Sequence, residues 1–111
     1  MNIKETLEKY TQIALVCNTF DDVKTLLKQL RLEQIRHTYY LYQEDWEDMF
    51  DKYTSHLDSN FRTAILIVEE KTGYNVYSRS YKDWGKYDDW ENYHFIDYTA
   101  FIREDKLNQL V

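Results

Sequence analysis

The chain has 111 residues, a formal net charge of -6, 43% apolar and 31% charged residues, and a mean hydropathy of -0.75. That size and balance exclude a disordered chain and point to one folded domain, 1–111, with one core. No apolar run reaches the ~18–20 residues that span a bilayer, and net acidity argues against direct binding to nucleic-acid phosphates.

The first helix is expected over 3–16, from Ile3, Leu7, Tyr10 and Ala14 at three- and four-residue spacing. Asn18 and Thr19 break it. Thr19 with Asp22 three residues on resembles a capping box and opens a second helix over about 20–33. Its apolar face is Val23, Leu26, Leu27 and Leu30. Residues 36–42, rich in Tyr and Thr, read as a short strand, with a continued helix as the alternative. A third helix follows over 43–57, where Trp46, Met49, Phe50, Tyr53 and Leu57 form one stripe. The run Ala64 to Val68 predicts a central strand within 61–70, buried on both faces. Lys71, Thr72 and Gly73 then make a turn, and 74–81 returns as the second arm of a hairpin. Tyr77, Arg79 and Tyr81 share one of its faces. Residues 82–92 read as a polar and aromatic connection, 93–102 as the last strand and 103–111 as a short terminal helix. The expected fold is α+β, order roughly α-α-β-α-β-β-β-α, with a small, mostly antiparallel sheet of 3–4 strands and helices packed on one face. A three-stranded meander after an all-helical first half is the alternative.

The acids are unevenly placed. Residues 43–60 carry six acids against Lys52 alone, and residues 82–105 carry seven acids against three bases. The same two segments hold Trp46, Trp84 and Trp90, the chain's three tryptophans. Carboxylates interleaved with large rings suit a surface that meets a basic partner. The candidate partner-binding residues are therefore Glu44, Glu47, Asp48 and Asp51 on the third helix. To these the connection adds Asp83, Trp84, Tyr87, Asp88, Asp89, Trp90 and Glu91. Each has a plainer account: the acids as a solvated helix face, the rings as a cap on one end of the core. Trp84, Tyr87, Trp90 and Tyr93 recur every three residues, an unusual spacing. Arg79 sits between two strand tyrosines, and a cross-strand ion pair with Asp97 is its plainer reading.

No catalytic signature is found, so no enzymatic activity is expected. His37, His56 and His94 are scattered, the single cysteine excludes a paired-thiol zinc site, and no glycine-rich phosphate loop exists. Asp45 with Asp48, or Asp88 with Asp89, lack the three or more convergent oxygens a hard cation needs. No metal and no cofactor are expected. Cys17 sits at the apolar end of the first expected helix and reads as a buried, inert thiol. One cysteine and no signal-like opening segment make a cytoplasmic location the expectation.

The leading functional expectation is a small acidic inhibitor of a basic, nucleic-acid-binding protein. Duplex DNA presents one negative charge per ~1.7 Å, and clustered carboxylates approach that density. In size, acidity and composition the chain is similar to the DNA-mimic inhibitors of phages and mobile elements, such as anti-CRISPR and anti-restriction proteins. No motif is shared, so the likeness assigns no residue. Free use of Lys, Asn, Ile, Tyr and Phe, with three alanines and no proline, fits an AT-rich phage or low-GC genome. The alternatives are an immunity protein or antitoxin plugging a toxin's active site, and a small-ligand domain using the Tyr77, Arg79 and Tyr81 sheet face. A monomer and a homodimer are both compatible with the sequence.

Overall fold

A computed structural model describes residues 2–35 and 46–110, excepting the side chains of 46–49, 84 and 105–110. In chain order the elements are α1 (Ile3–Tyr10), β1 (Gln12–Cys17), α2 (Phe20–Leu32), α3 (Trp46–Thr54), β2 (Thr63–Glu70) and β3 (Gly73–Ser80). Two 3-10 helices follow, Tyr81–Lys86 and Asp88–Asn92, then β4 (His94–Asp97) and α4 (Tyr98–Leu110). The fold is α+β, with four strands in the order β3-β2-β1-β4. The strand expected over 36–42 lies outside the described residues.

The sheet is mixed. β1 pairs antiparallel with β2 and β2 with β3, but β1 pairs parallel with β4. The cause is the route from β3 to β4. A hairpin would have placed the next strand beside β3; instead residues 81–93 cross the sheet to its far edge. Such a crossover brings a strand back in the same direction.

The first expected helix divides in two. Asn2 caps α1, accepting the Glu5 N–H at 3.3 Å. The helix stops at Thr11, whose φ of 58° lies in the left-handed region and whose N–H reaches the Leu7 carbonyl at 2.8 Å. Ile13 to Cys17 then run as β1, all buried. Five consecutive apolar residues cannot share one helix face, but a central strand covered on both sides buries them all. β2 obeys the same rule, with Thr63 to Ile67 buried.

The two sheet faces are covered differently. Ile13, Leu15, Cys17, Ile65, Ile67 and Val76 face the helices, with Leu7, Leu26, Leu30 and Tyr98 packed on them. Ala14, Val16, Ala64 and Leu66 face away, and Trp90 and Tyr93 cover them. Helices therefore pack on one face, and the connection covers the other.

Two polar ties fix the helix layer. The Asn18 N–H donates to the Thr99 hydroxyl at 2.9 Å, which donates to the Asp22 carboxylate at 2.6 Å. The Glu33 carboxylate accepts the Ile3 and Lys4 N–H groups at 3.1 and 2.9 Å, and the Gln29 amide at 2.9 Å. It thus serves α1 as a cap borrowed from beyond α2, satisfying amides that no helix carbonyl can reach. Glu33→Ala is expected to cost about 1–2 kcal/mol in urea denaturation. An unchanged midpoint would show that water replaces the carboxylate without loss.

The last expected strand, 93–102, is also shortened. β4 ends at Asp97, whose carboxylate accepts the Ala100 N–H at 3.0 Å and caps α4. No helix among the described residues is long and apolar enough to cross a membrane.

Candidate functional site

The connection between β3 and β4 is built on a three-residue repeat. In a 3-10 helix the side chains at i and i+3 eclipse. Asp88 and Glu91 therefore align within Asp88–Asn92, while Tyr87 and Tyr93 flank that turn in extended backbone. Trp90, inside the turn, is 4% exposed and Tyr93 after it is buried, while Tyr87 before it is 44% exposed. Asp88 and Glu91 are exposed.

Trp90 shares its cluster with Ala14 and Ala64, two of the chain's three alanines. Small side chains on β1 and β2 leave the depth an indole needs. Phe95 lies 5.7 Å from Trp90 by ring centroids, and Tyr87 meets it edge-on at 6.5 Å. Both are ordinary aromatic pair geometries.

Arg79 of β3 holds the connection down. Its Nη1 and Nη2 donate to Oδ1 and Oδ2 of Asp89 at 2.7 and 2.8 Å. Its Cζ stands 4.1 Å from the Tyr87 ring centroid and 5.1 Å from that of Trp90. The side chain of Arg79 is 12% exposed, that of Asp89 42%. Hydrogen bonding by Arg79 holds the Asp89 carboxyl below its usual range. Arg79 is raised in turn, chiefly by the hydrogen bond to Asp89. The Tyr77 and Tyr93 hydroxyls hydrogen-bond beside this pair. Burial first, then the Tyr77 hydroxyl and the nearby Asp89 charge, push the Tyr93 phenol upward. The expected pairing of Arg79 with Asp97 is not made. β3 and β4 are opposite edges of the sheet, and Asp97 caps α4 instead.

Over this layer lies an open concavity of about 740 Å³, lined by Tyr87, Trp90, Tyr93 and Phe95 with Asp88 and Glu91. Gly85 also borders it, and a Cβ there would meet no atom within 4 Å. Among the described residues neither Asp88 nor Glu91 makes an ion pair.

The remaining sequence candidates fall elsewhere. Glu44 lies outside the described residues. Glu47 and Asp48 are on α3, but their side chains, like that of Trp84, are outside the description. Asp51 is exposed on α3, which packs by Tyr53 on the helix-bearing face. Asp83 pairs with Lys86 at 3.1 Å. α3 and the 81–93 connection thus cover opposite faces of the sheet. The chain after α3 and the connection approach at a recess of about 100 Å³ beside β3, lined by Asp58 and Asp83 with Arg79 and Lys82. The charges there are mixed rather than uniformly negative.

The sheet face holding Tyr77 and Arg79 is covered, not open, and the guanidinium fork of Arg79 is occupied. His94 stacks on Tyr10 at 3.6 Å. Cys17 is fully buried, and burial, then the charges of Asp22 and Asp97, push its thiol well above the ordinary range. No group of three or more His, Cys, Asp or Glu converges among the described residues.

Comparison with known proteins gives no significant match to a family model, a curated protein or a solved structure.

Proposed function

We propose that this chain is an acidic binding protein that docks on a basic protein surface through the 81–93 connection. The observation that carries the reading is the outward line of Asp88 and Glu91 beside the half-exposed Tyr87, at the rim of an open aromatic concavity. Unpaired carboxylates speed encounter with a cationic surface, and a ring held in place slows release. The anchoring of the connection by Trp90 and by Arg79 with Asp89 supports a preformed surface.

The partner class is a protein with a cationic groove, of the kind that binds nucleic acid, and occupation of that groove inhibits it. α3 packs on the opposite face, so the reading rests on the connection alone. It does not require a duplex-like line of charge across both segments. An immunity protein covering a toxin's cationic active site would use the same surface, and the identity of the partner separates the two.

The test is capture of the partner at low salt from cells that make the protein, followed by affinity measurement with purified components. Asp88→Lys with Glu91→Lys is expected to weaken the complex by about tenfold or more. Glu8→Lys with Glu104→Lys makes the same change in net charge away from the connection and is expected to have a much smaller effect. Equal losses in both double variants, or none in either, would refute the assignment to the connection.

A further inference from the structure

The concavity has a composition that selects one kind of group. Rings line it: the half-exposed Tyr87 and the partly exposed Phe95, beside the buried Trp90 and Tyr93. Its rim carries Asp88 and Glu91, three residues apart and so on the same side of the 3-10 helix. Ring faces attract cations, and carboxylates complete the recognition by charge-assisted hydrogen bonds. An apolar occupant would leave the carboxylates unused, and an anion would be repelled.

The chain itself displays the complementary pairing a few ångströms away. Arg79 lies against Tyr77, Tyr87 and Trp90, and its fork is closed by Asp89 through both nitrogens. There, these rings and a carboxylate from the same short helix hold a guanidinium. The concavity offers the same chemistry, but its two carboxylates are free of ion pairs among the described residues.

We infer that the concavity receives an arginine side chain of the partner, its guanidinium against the partly exposed rings of Tyr87 and Phe95 and its N–H groups donated to Asp88 and Glu91. This rests on the proposed binding to a basic protein and names the group that enters. Arginine suits the place better than lysine. A guanidinium is planar, stacks on rings and is weakly hydrated, whereas an ammonium must be stripped of a firmly held water shell.

The test uses the intact protein and three small probes: N-acetyl-arginine amide, N-acetyl-lysine amide and N-acetyl-citrulline amide. Citrulline keeps the planar shape and loses the charge. Backbone amide shifts in ¹H–¹⁵N spectra report where each probe binds. The expected result is a saturable response to the arginine probe, concentrated at residues 85–95. Lysine and citrulline are expected to bind about tenfold more weakly or worse. Asp88→Asn with Glu91→Gln, both at exposed positions, is expected to remove most of the response while leaving the remaining spectrum in place.

Equal responses to arginine and citrulline, equal responses to arginine and lysine, or shifts scattered over all exposed acids would each overturn the inference. Its failure is distinguishable from failure of the broader reading. A captured partner that depends on Asp88 and Glu91, with no local response to the arginine probe, leaves the docking surface and removes the inserted arginine. A specific arginine response with no dependence of any complex on these residues leaves the pocket and removes the proposed docking.

Discussion

Trp90→Ala is expected to cost about 3–5 kcal/mol, the range for losing a buried aromatic side chain. Few substitutions in this chain should cost more. A domain of this size has a total stability of about 5–15 kcal/mol, so the variant sits near its unfolding threshold. The reason lies in the sheet's second face. Ala14, Val16, Ala64 and Leu66 have no α-helix among the described residues over them, and Trp90 with Tyr93 makes their cover. Removing the indole opens a cavity lined by two alanines, which cannot expand to fill it. The expected signs are a fall in the urea midpoint and faster amide exchange through 81–93. Tyr87→Ala serves as the comparison. At 44% exposure its ring is expected to contribute under about 1 kcal/mol. If both variants unfold at the same urea concentration, the aromatic layer is not a second core.

The second large effect is electrostatic and depends on pH. Asp89→Asn keeps the shape of the side chain and removes the charge that Arg79 grips from both nitrogens. The expected loss at neutral pH is about 1–2 kcal/mol. Hydrogen bonds to a charged group contribute about 1.5–3 kcal/mol, and 42% exposure of Asp89 lets water and salt screen part of that. The sign follows from the direction of the shift. The folded state holds Asp89 below its ordinary value of 3.8, so its contribution is complete above that value. As the pH falls below 3.8, the unfolded chain takes up the proton first and the contribution shrinks. It is lost once the pH passes below the folded value. Stability curves of the parent and Asp89→Asn should therefore differ at neutral pH and converge in acid. A gap that persists unchanged into acid would mean that the asparagine disrupts packing rather than charge.

Much of the fold was legible because its strongest patterns were local. α2 is the clearest example. Thr19 accepts the Asp22 N–H, and Val23, Leu26, Leu27 and Leu30 are buried as their spacing predicts. The β2–β3 hairpin also follows from its sequence, including the shared face of Tyr77 and Arg79. The α1–β1 boundary was misread because Ile3, Leu7, Tyr10 and Ala14 keep a helical spacing across a break. The run Ile13 to Cys17 carried the contrary signal, the same one that identified β2. The parallel β4 was not legible, since nothing local states that the chain will cross the sheet before pairing.

The candidate site was legible in residue type and not in orientation. Trp90 and Asp89 were grouped with Asp88 and Glu91 as partner-facing residues. The structure turns Trp90 into the core and spends Asp89 on Arg79, leaving Tyr87, Asp88 and Glu91 outward. The aromatic repeat does not state that division, because Tyr87 and Tyr93 lie in extended backbone on either side of the turn that carries Trp90. The pairing of Arg79 was misassigned for a different reason. Alternation places Arg79 on a face but not beside a particular neighbour, and the order of the strands decides who the neighbour is.

Ionic strength provides the most direct check on the proposed role. From about 0.1 M to 1 M salt the Debye length falls from ~10 Å to ~3 Å, which suppresses attraction between exposed charges. The affinity of the purified complex should fall steeply over that range. It should fall much less for the Asp88→Asn, Glu91→Gln variant, which has already lost the charges concerned. A complex whose affinity is indifferent to salt, or whose salt dependence is the same in parent and variant, would contradict docking through the acids of the connection.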